Sequence, residues 1–212
     1  MKRDINSAIG RVVSISIAVE TIIFAFSLLW GIIFHTEYDQ IIGYLASLFL
    51  AASVVVLMAC LYENINVEVR IFGLLAFAAS IIYAVYCINN YYLQISIVVM
   101  NPLNHPEEIL KIFKFAPGSP TFALDMLGYG FLCLSTLAAG FALTDKRDKV
   151  LKILCLIHGA IAVPTFVAPI ISGIFRSTGG QANDIGSYIL FIWCMLFIPI
   201  ALLFYHYFKK QV

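Results

Sequence analysis

Apolar residues run along this chain in six long blocks, at about 12–34, 41–62, 71–93, 121–143, 150–173 and 187–208. Each is near or above the ~20 apolar residues that an α-helix needs to cross a hydrocarbon core. Lipid offers the backbone no hydrogen-bonding partner, so blocks of this length are expected to be helices rather than strands. Short polar stretches separate them: His35–Gln40, Glu63–Arg70, Asp145–Lys149 and Arg176–Gly186. The pattern predicts an all-α polytopic membrane helical bundle, residues 1–212 forming one transmembrane domain.

The first block follows Met1-Lys2-Arg3, as a secretory leader would. It outruns a leader core, however, and ends in Trp30-Gly31-Ile32-Ile33-Phe34 without a small-residue cleavage site, so it reads as a retained helix. The connection between blocks three and four differs from the others. His105-Pro-Glu-Glu-Ile-Leu-Lys-Ile-Phe-Lys-Phe115 has proline and acids early and lysines late, the signature of a short helix. Ile109, Ile112 and Phe113 share a face, so this amphipathic helix is expected to lie on the outer surface or to cap the bundle. Block three is expected to run on past Gln94, since Ile95–Met100 stays apolar. Pro164 and Pro169 are expected to kink block five.

Composition agrees with the pattern. Of 212 residues, 62% are hydrophobic and 12% charged, and the mean hydropathy is +0.95. A soluble domain carries about 25% charge. A formal net charge of +1 gives no basic surface for nucleic acid, leaving membrane lipids as the expected surroundings. The distribution of the 13 Lys and Arg residues says more than their sum. With the N-terminus inside, Lys111, Lys114 and Arg176 alone face out, and the other ten lie on the cytoplasmic side. That asymmetry places both termini in the cytoplasm, as expected for a multi-pass protein of the cell membrane.

Candidate chemistry is sparse. The odd set Cys60, Cys87, Cys133, Cys155 and Cys194 has no CxxC pair and reads as packed free thiols. The histidines His35, His105, His158 and His206 are scattered, without metal or haem spacing. No GxSxG segment is present, and Gly179-Gly180 reads as a turn. Neither a catalytic residue, a metal site nor a cofactor is expected, which leans against an enzyme.

Ionisable groups within spans are costly and tend to mark function. Glu20 lies deep in span one, with Ser16, Ser27 and Gly31 on its face. Asp125 lies in the outer part of span four, with Thr121, Gly128, Tyr129 and Thr136. Tyr83, Tyr86, Asn90 and Gln94 line up on span three. Each has a structural alternative: Asn, Gln and Tyr often join helices, and His158 in span five suits a hydrogen-bonded packing role. Ala18-Val-Glu20-Thr-Ile-Ile-Phe-Ala-Phe26 is similar to Ala123-Leu-Asp125-Met-Leu-Gly-Tyr-Gly-Phe131. A three-plus-three duplication would be inverted, as in many transporters, although chance similarity of apolar helices explains the match equally well.

Tyr91-Tyr-Leu-Gln-Ile-Ser-Ile-Val-Val, Asn101-Pro and Phe122-Ala-Leu-Asp-Met-Leu-Gly-Tyr-Gly-Phe-Leu, over about residues 90–143, resemble a group of uncharacterised bacterial six-helix membrane proteins. The resemblance implies a prokaryotic plasma membrane and a shared feature at Gln94, Asp125, Gly128 and Tyr129. It brings no activity.

These readings lead to one principal expectation. A pocket among the outer ends of spans one, three and four, lined by Tyr86, Asn90, Gln94, Asp125 and Tyr129, would bind a small amphipathic or lipid-like ligand. The His105–Phe115 helix would be its lid, and transport extends the same reading. The alternatives are a proton-coupled transporter relaying through Glu20 and His158, and a non-catalytic membrane subunit of a larger complex. Homo- or hetero-oligomers remain open in each.

Overall fold

A computed structural model describes residues 2–34, 38–115, 118–176 and 183–211. The turn expected at Gly179-Gly180 falls outside them. Helix α1 spans Lys2–Phe34, α2 Tyr38–Asn64 and α3 Arg70–Leu93, which continues into a π-helical segment over Gln94–Val99. The short α4 is Glu107–Phe113, followed by α5 (Pro120–Ala142), α6 (Lys149–Ala160), α7 (Ala162–Arg176) and α8 (Asn183–Lys209). Among the described residues, six helical stretches are long and apolar enough to cross a membrane.

Neighbours in sequence pack side by side. Helix α1 lies against α2 and α8, α3 against α2 and α5, and α5 against α6 and α7, while α6 meets α8 to close the bundle. The deepest side chains include Ile17, Leu50, Leu57, Met58 and Leu61 on the α1–α2 side and Phe197, Phe204 and Phe208 from α8. Large apolar residues such as Val12, Phe26, Phe49, Val85 and Ile192 point outward instead. In water that surface would oppose folding, whereas in hydrocarbon it costs nothing.

Contacts between distant residues sort the two ends of the bundle. Ser7 of α1 donates to Asn64 of α2 at 3.3 Å, Gly10 packs against the Phe208 ring, and Lys210 pairs with the buried Asp148 at 2.9 Å. The described parts of both terminal helices therefore meet at one end, together with the α2–α3 and α5–α6 turns. In the α5–α6 turn, the Arg147 guanidinium and amide hold the exposed Asp145 carboxyl down at about 2. Helix α4 belongs to the opposite end.

Three local features have sequence causes. Ser119 accepts the Phe122 amide at 3.1 Å and Pro120 occupies the first turn, so α5 begins where its cap requires. Span five is interrupted at a single residue, Ile161. Pro164 has no amide to give the Ala160 carbonyl, so α6 ends there, and Ile161 donates back to His158 before α7 restarts. Span three does run on, but as a π-helix, with the Met100 amide reaching the Ile95 carbonyl at 3.1 Å.

Helix α4 turns Leu110 into the protein, while Ile109 and Ile112 are exposed and Phe113 is half-buried. The proposed duplication is followed by the packing of α1 on α8 and of α5 on α3, which an inverted repeat would relate. Its two acids do not follow it: Glu20 bonds to α2, whereas Asp125 bonds to α3.

Candidate functional site

The polar stripe of α3 and the acid of α5 do face one another. The Asn90 side-chain amide donates to the Thr121 carbonyl at 3.1 Å and to Asp125 Oδ1 at 3.2 Å. Asn90 is 2% exposed and Asp125 0%. This approach depends on Gly128, where an added Cβ would stand 2.9 Å from Cys87 Sγ and 3.2 Å from Tyr86 Cβ.

One helical turn toward α4, the same two helices hold that helix in place. The Gln94 amide donates to the Phe113 carbonyl. The Thr121 hydroxyl donates to the Lys114 carbonyl at 3.1 Å and lies 2.9 Å from the Ser119 hydroxyl. The connection into α4 contains two residues with positive φ, Asn101 at 35° and Asn104 at 49°. The Asn101 side chain accepts the His105 amide at 2.8 Å. Asparagine tolerates that conformation better than most residues.

One turn deeper than the Asn90–Asp125 pair lies an aromatic layer. Tyr91 and Tyr129 hydroxyls are 3.0 Å apart. Tyr44 of α2 stacks on Tyr91 at 5.5 Å between centroids, Tyr83 lies 6.0 Å from Tyr129, and Trp193 of α8 meets Tyr129 edge-on at 5.1 Å. Trp193 stacks on Phe197 at 4.9 Å, and the His158 ring lies beside both, at 5.7 and 5.2 Å. Thr136 lies 2.6 Å from His158 Nδ1 and also donates to the Cys133 carbonyl at 2.9 Å. A hydroxyl has one proton, so Thr136 donates either to that carbonyl or to Nδ1, and the His158 tautomer follows from which it serves.

The expected site residues therefore divide. Asn90, Asp125 and Tyr129 form one buried cluster with Gln94 above it, and Tyr86 packs half-buried against Gly128. Helix α1 takes no part in these bonds. The third wall is Tyr44 of α2, with Trp193 of α8 behind it. Tyr91 was missed, although it continues the line from Tyr83 through Cys87 by one more helical turn. Tyr44 and Trp193 lie on helices remote in sequence, and no spacing could have signalled them.

Glu20 is half-buried in the α1–α2 seam. Ser16 and Ser53 both donate to its Oε1, at 2.8 and 2.9 Å. Ser27 instead bonds its own helix at the Phe24 carbonyl. Among the described residues, several buried polar atoms have no hydrogen-bond partner: Glu20 Oε2, Ser47 Oγ, Tyr83 Oη, Asn90 Oδ1, Asp125 Oδ2, His158 Nε2 and Trp193 Nε1. An unmet buried polar group costs about 1–3 kcal/mol, so a run of them along one core is unusual for a purely structural seam. Among the described residues no three His, Cys, Asp or Glu side chains converge as metal ligands, and all five cysteines are buried and free.

Two concave surfaces lie elsewhere. One, of about 410 Å³, is bounded by Ala8, Arg11, Val12, Ile15 and Tyr205. The other, of about 190 Å³, is an apolar groove between Ile22, Phe26 and Leu29 of α1 and Phe191, Met195 and Ile198 of α8. Neither includes a residue of the α3–α5 cluster, which is closed in this conformation. Comparison with known protein families, characterised proteins and solved structures yields no match. The resemblance of residues 90–143 to a bacterial group thus rests on the motif alone.

Proposed function

We propose that this chain is a multi-pass cell-membrane protein that binds a small amphipathic or lipid-like ligand at the outer ends of α3 and α5. The observation that carries this reading is the pairing of Asn90 with Asp125 directly beneath α4, with Asn90 Oδ1 and Asp125 Oδ2 left unmet. A π-helical segment at the edge of the same cluster supports it, since such segments recur at functional sites. Helix α4 has the character of a lid: seven residues long, held by the Gln94–Phe113 and Thr121–Lys114 bonds, with one fully buried side chain. Its exposed Ile109 and Ile112 suit contact with acyl chains. The cationic asymmetry of the sequence supports an outward-facing α4 and cytoplasmic termini.

The test is a thermal-shift screen of lipids and small metabolites on the purified protein. Asp125→Asn keeps the shape and is expected to fold, yet to lose the shift of any hit. Gln94→Ala should release that hit faster by freeing the lid. Identical ligand-induced shifts in wild type and Asp125→Asn across the screen overturn the assignment. One observation favours a second reading, proton-coupled transport. Glu20 keeps an unmet Oε2 in the α1–α2 seam, and its test is argued in the Discussion.

A further inference from the structure

A carboxylate sealed inside a membrane bundle calls for a countercharge or a full set of donors. Asp125 has neither. Among the described residues Asn90 is its one hydrogen-bond donor within normal geometry, and Asn90 divides itself between Asp125 and the Thr121 carbonyl. The Tyr91 hydroxyl lies beside the carboxyl, but Oδ2 has no partner within hydrogen-bond geometry. Among the described residues no Lys, Arg or His makes an ion pair with it. Lys114, a cation of the overlying segment, is engaged with Glu107 at 2.8 Å. The nearby Asn90 Oδ1 is a second acceptor without a donor.

What surrounds this pair of acceptors narrows the occupant further. Tyr44, Tyr91, Tyr129 and Tyr83 form a continuous aromatic wall. Aromatic faces attract organic cations through their quadrupoles. A hard divalent ion would ask for six or more oxygen ligands, more than one carboxylate and one amide supply. An anion would meet Asp125 unscreened.

Resting on the binding reading above, we propose that the ligand carries an ammonium head, which pairs with Asp125 Oδ2 and donates a further hydrogen bond to Asn90 Oδ1. The way in is short. Gln94 and Thr121 hold α4, and each lies four residues from the member of the buried pair on its own helix. Releasing those two bonds uncovers Asn90 and Asp125 one turn, about 5.4 Å, below. An alkyl tail would then lie against Ile109, Ile112 and the exposed Leu124.

The experiment uses the full chain in phosphatidylglycerol nanodiscs, a lipid without an amine, with empty discs as the partition control. The probes are n-octylamine, n-octanol, octanoate and ethylamine, read by the thermal unfolding midpoint. Octylamine should raise the midpoint, octanol and octanoate should not, and Asp125→Asn should weaken octylamine by roughly thirtyfold or more, as for a buried charge pair that loses one partner. A response to ethylamine at matched concentration identifies a free amine as sufficient, whereas silence identifies the amphiphile; both support the ammonium. Equal shifts by octanol, octanoate and octylamine that need Asp125 overturn the ammonium but leave the binding site standing. No shift by any probe, or shifts that survive in Asp125→Asn, overturn both. A second readout needs no variant. Carboxyl infrared difference spectra of the wild type should show carboxylate gained, or its environment changed, with octylamine and not with octanol. A spectrum silent to octylamine sinks the proposal.

Discussion

At the scale of single residues, the informative groups use only part of their hydrogen-bonding capacity. Glu20 is the clearest case outside the α3–α5 cluster. Its Oε1 takes hydroxyl bonds from Ser16 on its own helix and Ser53 on α2, while Oε2 takes none. As a clamp it needs only one acceptor, which glutamine also provides. Glu20→Gln should therefore leave stability nearly unchanged, and Glu20→Leu should cost about 1–2 kcal/mol in a detergent unfolding titration by stranding two serines. As a proton carrier it needs an ionisable oxygen, which glutamine lacks. Proton flux into pH-jumped liposomes should then be present in the wild type and absent in Glu20→Gln. Absence of flux in both removes the relay and leaves the clamp.

At the scale of elements, two interruptions shape the spans. The α6–α7 break follows from one missing amide, and its consequence is tertiary. It lets α7 redirect Phe166 onto α5, where the ring fills the space above Gly130 and meets Phe131 edge-on at 5.8 Å. Pro164→Ala restores a donor for the Ala160 carbonyl and should heal the helix. Spin labels at positions 152 and 170 should then move apart, and stability should fall by about 1 kcal/mol as Phe166 leaves its seat. An unchanged distance would show that packing against α5, not the proline, maintains the break. The π-helical segment after α3 was less legible. Apolar Ile95–Met100 announced that the helix continues, but nothing in those residues distinguishes an i to i−5 bond from an i to i−4 bond. That choice fits Gln94's place beneath the Phe113 carbonyl, a contact 19 residues away in sequence.

At the scale of the whole molecule, orientation is the property most open to test. All five native cysteines are buried, so a single introduced thiol should label over a low background. Glu108→Cys on α4 and Lys146→Cys in the α5–α6 turn are both exposed positions at opposite ends. In intact cells an impermeant maleimide should reach position 108 and miss position 146; labelling at 146 reverses the orientation. The presence of six long apolar helices among the described residues and the facing of α3 and α5 were legible in the sequence. Long apolar runs have only one way to satisfy their backbone in lipid, and a loop of limited length makes its flanking helices neighbours. Asn90, Gln94 and Asp125 could be nominated because polar groups in such runs are expensive enough to stand out. The rest depended on contacts between distant segments. Ser53 became the partner of Glu20, Tyr44 and Trp193 completed the aromatic layer, and Leu110 faced inward from α4. A helix periodicity states which residues share a face, but not which neighbour that face will meet. That is decided by how six helices fill space together, and it left the Asn90–Asp125 pair closed beneath α4.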